Sequence, residues 1–265
     1  MFSRSLQRPG ISRKLYELFL GMRLGKIDDR KYEDRFSLVW DAVESDAQNL
    51  MDSDADLSDF KALVLQLGIS IKPTLNDVSY ALRLFRETRD LASKLDRPIT
   101  VFETGTAKGF SSLTMSLAMD KKHGGAVHTI DILPHSKELY WNAYGDKTHG
   151  KRSRLGLVSK WPELAARVEF HEGETETVIR NLDLPQIDLA FLDAQHDYQS
   201  VMSEFRYVSA RQVASSVIVL DDVDESKFPG IFRAVKEIES GPHPYNVELV
   251  EASGIRKAIA VLRRV

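Results

Sequence analysis

The chain has 265 residues, 43% of them apolar and 28% charged, with a formal net charge of −3 at pH 7. That is enough for one large domain, or a domain with an accessory segment, and enough to bury a core without staples. There is no cysteine, which excludes disulfides and all thiolate chemistry. The charge balance shows no sign of a general nucleic-acid or membrane binder.

Arg4 and Arg8 resemble the basic start of a leader. The following Leu15-Tyr-Glu-Leu-Phe-Leu20 is short and carries a glutamate, so it makes a poor apolar core for one. No stretch approaches the ~20 apolar residues of a membrane span. The expectation is a cytoplasmic protein with no nucleic-acid or membrane partner.

Residues 1–75 read as a helical accessory segment. Leu15, Leu18, Phe19 and Met22 share one helical face, and Phe36, Val39, Trp40 and Val43 share another. These faces are candidates for core contacts, or for contacts between copies in a homo-oligomer. Asp52-Ser-Asp-Ala-Asp56 reads as a loop and a helix cap. Lys72-Pro-Thr-Leu-Asn76 reads as a breaker.

From residue 76 onward the texture alternates. Helix is expected over Val78–Leu95, then a strand over Ile99–Phe102 meeting Glu103, then helix over Gly109–Met119. A strand over Ala126–Ile130 meets Asp131. After an insertion at about 133–165 come a strand at Val168–Phe170 and a helix at Glu174–Leu182. A strand over Ile187–Leu192 meets Asp193, with helix over Tyr198–Val213. A strand over Ser216–Leu220 meets Asp221 and Asp222, with helix over Ile231–Ile238. Two late strands fall near Asn246–Val250 and Lys257–Leu262. Such alternation implies an α/β, Rossmann-like, doubly wound sheet, whose ligands bind outside the carboxyl ends of the strands. Four strands ending in an acid put carboxylates at that edge; each acid alone could be a helix cap.

Glu103-Thr-Gly-Thr-Ala-Lys-Gly-Phe-Ser-Ser112 lies between the first of these strands and its helix. Gly105 and Gly109 allow a sharp turn and close backbone approach, and the helix start presents free amides. A nucleotide-like ligand suits this loop; a ligand-free tight turn is the plain alternative. Counting from Gly105, a dinucleotide fingerprint requires glycine where Ala107 and Phe110 stand, and the residues flanking Lys108 exclude a Walker loop. Asp131 lies where Rossmann-like folds place an acid on ribose hydroxyls.

Asp193, Asp221 and Asp222 fall on strands expected to be neighbours. Three clustered carboxylates repel unless neutralised, and oxygen donors suit Mg²⁺. Caps and backbone hydrogen bonds would also account for them. The insertion carries Tyr140, Trp141, Lys147, His149, Lys151, Arg152 and Arg154, which could form a lid selecting an acidic or phosphorylated sugar, or be a solvated excursion.

The ordered motifs Glu103-Thr-Gly-Thr-x-x-Gly-x-Ser-Ser112, Thr129-Ile-Asp131, Phe191-Leu-Asp-Ala-x-His196-x-Tyr198 and Val219-Leu-Asp-Asp222 resemble class I S-adenosylmethionine-dependent methyltransferases. The branch resembled is that of small-molecule O-methyltransferases related to macrocin O-methyltransferase and cephalosporin-hydroxylase-like proteins. The resemblance spans about residues 75–265. It implies a seven-stranded, mostly parallel sheet with an antiparallel last strand. It implies methylation of a small molecule such as a sugar, with S-adenosylmethionine as cofactor and Mg²⁺ held by Asp193, Asp221 and Asp222. Implied cofactor contacts are Glu103, Thr104, Gly105, Thr106, Gly109, Ser111, Ser112, Asp131, Ile132, Gly173, Glu174, Asp193, Ala194 and His196. Asp193 and His196 are the implied catalytic pair. Where many members carry a second acid, this chain has Gln195, which leaves His196 as the candidate base or a structural contact. A nicotinamide-dependent oxidoreductase and a non-catalytic cofactor-binding module are the competing readings.

Overall fold

The computed structural model describes residues 28–69, 76–119, 121–143, 145–251 and 258–265. The expected helical face at Leu15–Met22 and the breaker at residues 72–75 lie outside them. Helices α1 (Asp29–Asp41), α2 (Glu44–Leu50) and α3 (Asp54–Leu63) come first, and α3 runs into a π-helical turn at Val64–Gly68. Ser53 caps α3 by accepting from the Asp56 amide at 3.2 Å, as the acidic, serine-bearing loop suggested.

Then follow α4 (Asn76–Lys94), β1 (Ile99–Thr104), α5 (Phe110–Leu117) and β2 (Gly125–Asp131). The insertion holds three short helices, α6 (Gly145–His149), α7 (Arg154–Val158) and α8 (Pro162–Ala165). The remainder is β3 (Val168–Glu172), α9 (Thr175–Ile179), β4 (Leu189–Leu192), α10 (Tyr198–Ser209), β5 (Val217–Val223), α11 (Pro229–Ser240), β6 (Tyr245–Glu251) and β7 (Ala258–Arg264).

The seven strands form one sheet in the order β3-β2-β1-β4-β5-β7-β6. β1 to β5 pair in parallel, while β7 is antiparallel to both β5 and β6 and lies between them. This is the Rossmann-like architecture expected, with its topological switch between β1 and β4, where ligands gather. Both faces are covered. One core unites Val101, Val127 and Phe191 with Phe110 of α5, Phe85 of α4, and Trp40 and Phe60 of the N-terminal helices. The other unites Phe102, Ile130 and Leu220 with Phe205 of α10 and Ile231 of α11. At the opposite end of the sheet, Asp188 accepts from the Arg97 guanidinium at 2.7 and 2.9 Å and from the Thr100 amide at 2.9 Å. This ties β1 to β4.

The insertion is packed rather than solvated. Leu139, Trp141, Ala143, Leu157, Val158 and Trp161 all join the first core. Trp141 is fully buried, donates Nε1 to the Arg152 carbonyl at 2.6 Å, and donates its backbone amide to Asp146 Oδ2 at 2.6 Å. The expected sugar-binding role of Trp141 is therefore corrected: its indole is core, because its apolar area is better buried than exposed. No described helix is long and apolar enough to cross a membrane.

Candidate active site

The β1–α5 loop turns as its glycines require. Gly105 has φ +91°, and a Cβ there would stand 2.4 Å from the Asp193 carbonyl oxygen. Gly109 has φ +84° and caps α5 in the left-handed conformation. Between them Ala107 also takes a positive φ, of 45°. The Gly105 amide donates to the Ile130 carbonyl at 2.9 Å, so the loop is anchored on β2 and packed against the end of β4.

The acids and hydroxyls of this motif are turned inward. Glu103 is fully buried. Its Oε2 accepts from Ser112 Oγ and, at 2.6 Å, from Thr129 Oγ1. Thr129 in turn meets Thr106 Oγ1 at 2.6 Å. Burial pushes the Glu103 carboxyl above its ordinary range, against the lowering effect of the Ser111, Ser112 and Thr129 hydroxyls. Ser111 and Ser112 are likewise buried. Thr104 Oγ1 donates to Glu204 Oε2 at 2.9 Å. Glu204, from α10, is fully buried, and burial is the main reason its carboxyl is pushed up to about 8.

Asp131 ends β2 in a tighter web than its ribose-binding expectation implied. Oδ2 accepts from the Ala107 amide at 2.6 Å and forms an ion pair with Arg154 Nη2 at 2.9 Å. Oδ1 accepts the Leu133 amide at 2.7 Å. A carboxylate has about four acceptor sites, so Oδ1 retains capacity for one more donor. Arg154 is 0% exposed. Beyond Asp131 it donates Nε to the Ala107 carbonyl at 2.7 Å and Nη1 to the Leu133 carbonyl at 3.1 Å. Nη1 also meets His135 Nδ1 at 2.5 Å. Burial, then the Arg154 charge, holds His135 below its ordinary value, which fits a neutral ring accepting through Nδ1. The expectation that Arg154 recognises an acidic acceptor is thus corrected: it is the buried strut between the loops after β1 and β2.

Ile132, beside Asp131, is 58% exposed at the mouth of this region. Gly173 follows β3 with φ +147°, and its amide donates to the Asp131 carbonyl at 2.9 Å. Glu174 stands at the N-terminal cap position of α9.

At the ends of β4 and β5, Asp193, His196 and Asp222 offer donor atoms within 4.8 Å of one another. His196 Nε2 is 2.9 Å from Asp222 Oδ2 and 3.9 Å from Asp193 Oδ1. The His196 ring also tilts over Phe228, with centroids 4.8 Å apart. Asp222 does not follow β5, as expected, but lies inside it with φ +63°, at the irregularity between Leu220 and Val223 where β5 meets β7. Such a bulge re-aims a side chain. Asp221 is buried at 5% exposure and stands outside the donor group, so the expected Asp193–Asp221–Asp222 triad is replaced by Asp193–His196–Asp222. Ala194 and Gln195 lie in the same turn after β4.

The basic face of the insertion borders a cavity of about 430 Å³ lined by His149, Arg152 and Lys160 with Tyr32 and Phe36 of α1. Lys160 Nζ there donates to Gln66 at 2.7 Å. Lys147 instead pairs with Asp29 at 2.7 Å. Sequence reasoning missed Arg154 as a strut, and with it His135 and Glu204. A buried arginine carries no local signal.

Residues 102–223 match a family model described as a methyltransferase domain. No curated protein sequence matches the chain at a significant level. Among solved structures, it is similar to an O-methyltransferase from Bacillus cereus in complex with SAH, with TM-score 0.56 and 17% identity over 84% of this chain and 97% of that one. It is also similar to the O-methyltransferase TomG from Streptomyces achromogenes, in complex with SAM, at TM-score 0.56 and 16% identity over 85% and 96%. The SAH-bound Podospora anserina methyltransferase PaMTH1 follows at TM-score 0.54 and 16% identity over 85% and 94%. The matched segment runs from β1 to β5 and contains the glycine loop that closes on Asp193, and the solved structures share the Rossmann-like methyltransferase fold of this chain.

Proposed function

We propose that the enzyme methylates a hydroxyl group of a small molecule, with an acidic sugar as the acceptor class. The observation that carries this reading is the Asp222–His196 pair, 2.9 Å apart at the carboxyl edge of β4 and β5. A hydroxyl must lose its proton as it attacks carbon, and an imidazole oriented by a carboxylate is suited to take it. With Nε2–H donating to Asp222, Nδ1 is the atom that receives the proton.

Bound S-adenosylmethionine supplies the electrophilic methyl group. The residues present fit it: Gly105 lets the loop close tightly on the Asp193 carbonyl, and Asp131 Oδ1 has an acceptor site left for a ribose hydroxyl. In this reading the backbone of Gly105, Thr106 and Gly109 cradles the cofactor. Glu103, Thr104, Ser111 and Ser112 hold that backbone from beneath. Ile132, Gly173 and Glu174 border the adenosine, and Ala194 closes the loop side. The cavity bearing His149, Arg152 and Lys160 is the place for an acidic group of the acceptor.

The test is a kinetic one. His196→Asn should lower kcat by about 10²- to 10⁴-fold, with cofactor affinity unchanged in calorimetry. An unaltered kcat would sink the base assignment. Binding of NAD but not of S-adenosylmethionine would sink the reading altogether.

A second reading is favoured by the donor set within 4.8 Å. Asp193, Asp222 and His196 Nε2 could together hold a divalent cation, which would lower the pKa of the acceptor hydroxyl. The two readings use Nε2 in opposite ways, as donor or as ligand. Activity lost in EDTA and restored by Mg²⁺ or Mn²⁺ supports the cation; activity unchanged in EDTA excludes it.

A further inference from the structure

We propose a zinc-binding site on the outer edge of the sheet, formed by His128 of β2 with Glu169 and His171 of β3, distinct from the catalytic edge. The strand register creates it. β2 and β3 are parallel, with His128 opposite Glu169 and Ile130 opposite His171. Paired residues in a parallel ladder point to the same face, and residues two apart on one strand do so as well. The three side chains therefore project together, on the face that carries Phe102 and Ile130.

Their chemistry is that of a transition-metal site. The donor atoms all lie within 4.8 Å of one another. His128 Nδ1 stands 3.3 Å from Glu169 Oε2, and the two imidazoles stack with centroids 5.7 Å apart and planes at 18°. His128 Nδ1 and His171 Nε2 are buried and make no hydrogen bond among the described residues. Buried polar atoms are rarely left so, and a cation would satisfy both. Glu169 is the opening, with its side chain 62% exposed.

Two imidazoles and one carboxylate suit zinc, whereas Mg²⁺ and Ca²⁺ prefer oxygen donors alone. Zinc bonds of about 2.0–2.1 Å set tetrahedral ligand atoms roughly 3.4 Å apart. His128 Nδ1 and Glu169 Oε2, 3.3 Å apart, already have that spacing. The fourth position faces solvent and takes water. A bound ion would clamp the edge strand β3 onto β2, and so stabilise the fold.

The experiment uses the full chain carrying Asp222→Asn, which removes the competing donor group at the catalytic edge. The protein is stripped with chelator, then titrated with Zn²⁺ by calorimetry and with Co²⁺ by visible absorption. We expect one ion per chain, the intense visible bands of tetrahedral cobalt, and a rise in Tm with zinc. His171→Gln should weaken zinc binding by about tenfold or more, the scale seen when a metal site loses supporting contacts. Glu169→Gln, at an exposed position, should weaken it without changing the Tm of the metal-free protein. The proposal is overturned if the parent binds no zinc in excess metal, or if both variants bind it as tightly as the parent.

Discussion

Arg154 Nη2 lies 2.9 Å from Asp131 Oδ2, and both side chains are nearly withdrawn from solvent, at 0% and 8% exposure. The same guanidinium spans the carbonyls of Ala107 and Leu133. One buried cation therefore fixes the relative position of the loops that follow β1 and β2 at the carboxyl edge of the sheet. A planar, five-donor group can do this; an ammonium cannot match the fork.

Removing that cation leaves the Asp131 charge with less compensation in a low-dielectric setting. Arg154→Met should destabilise the protein by about 3–5 kcal/mol, the usual cost of breaking one side of a buried pair. Arg154→Lys should recover only part of it. Urea unfolding measures both. Equal stability of wild type and methionine variant would show that the strut is not structural.

Gly105→Ala combines an unfavourable positive φ with a Cβ placed 2.4 Å from the Asp193 carbonyl oxygen. The strain costs about 1–3 kcal/mol, and relieving the clash must displace the end of β4. Cofactor affinity should fall along with Tm. Calorimetry with S-adenosylhomocysteine that returned the wild-type affinity would contradict the close-approach argument.

Glu204 gives a pH signature. Its folded value of about 8 lies above its ordinary 4.5 because burial disfavours the charged form. A raised acid binds its proton more tightly in the folded state. Its contribution to stability is therefore present in full below about 4.5 and is lost as pH climbs towards 8. Glu204→Gln keeps the shape and removes the titration. Its stability curve should be flatter across that window, and at pH 8 it should exceed wild type by on the order of 1 kcal/mol or more. Parallel curves would disprove the shift.

Trp141 and Lys160 separate packing from recognition in the insertion. Trp141→Ala should cost about 3–5 kcal/mol as a large core truncation, with little change in acceptor KM at temperatures where the variant is folded. A variant as stable as wild type would return Trp141 to the surface.

Lys160→Glu lies on the cavity wall, outside the core. It should raise the KM for an acidic acceptor by about tenfold, as lost uniform binding does, with kcat and cofactor affinity little altered. An unchanged KM would move acceptor recognition elsewhere.

The order of strands and helices was readable along the chain because period-2 and period-3.6 patterns are local, and because parallel crossovers admit one hand. Each strand from Ile99 onward was found within a few residues. The glycine loop was legible for the same reason: positive φ at Gly105 and Gly109 is a demand made by the backbone itself. What local pattern could not show is where a side chain points once it reaches the carboxyl edge. Glu103, Ser111 and Ser112 carry a cofactor-loop pattern, yet the fold turns them into its own support. Asp221 and Asp222 are adjacent, and it is the irregularity in β5 that separates their fates. Arg154 and Trp141 looked like members of a basic, aromatic surface; burial against Asp131 and the first core made them structure. Sequence by itself determined the fold, the glycine loop and the acids that end its strands. Only the tertiary structure decided which acids meet which partners, since hydrogen bonding and desolvation between residues far apart in the chain are settled by packing and not by pattern.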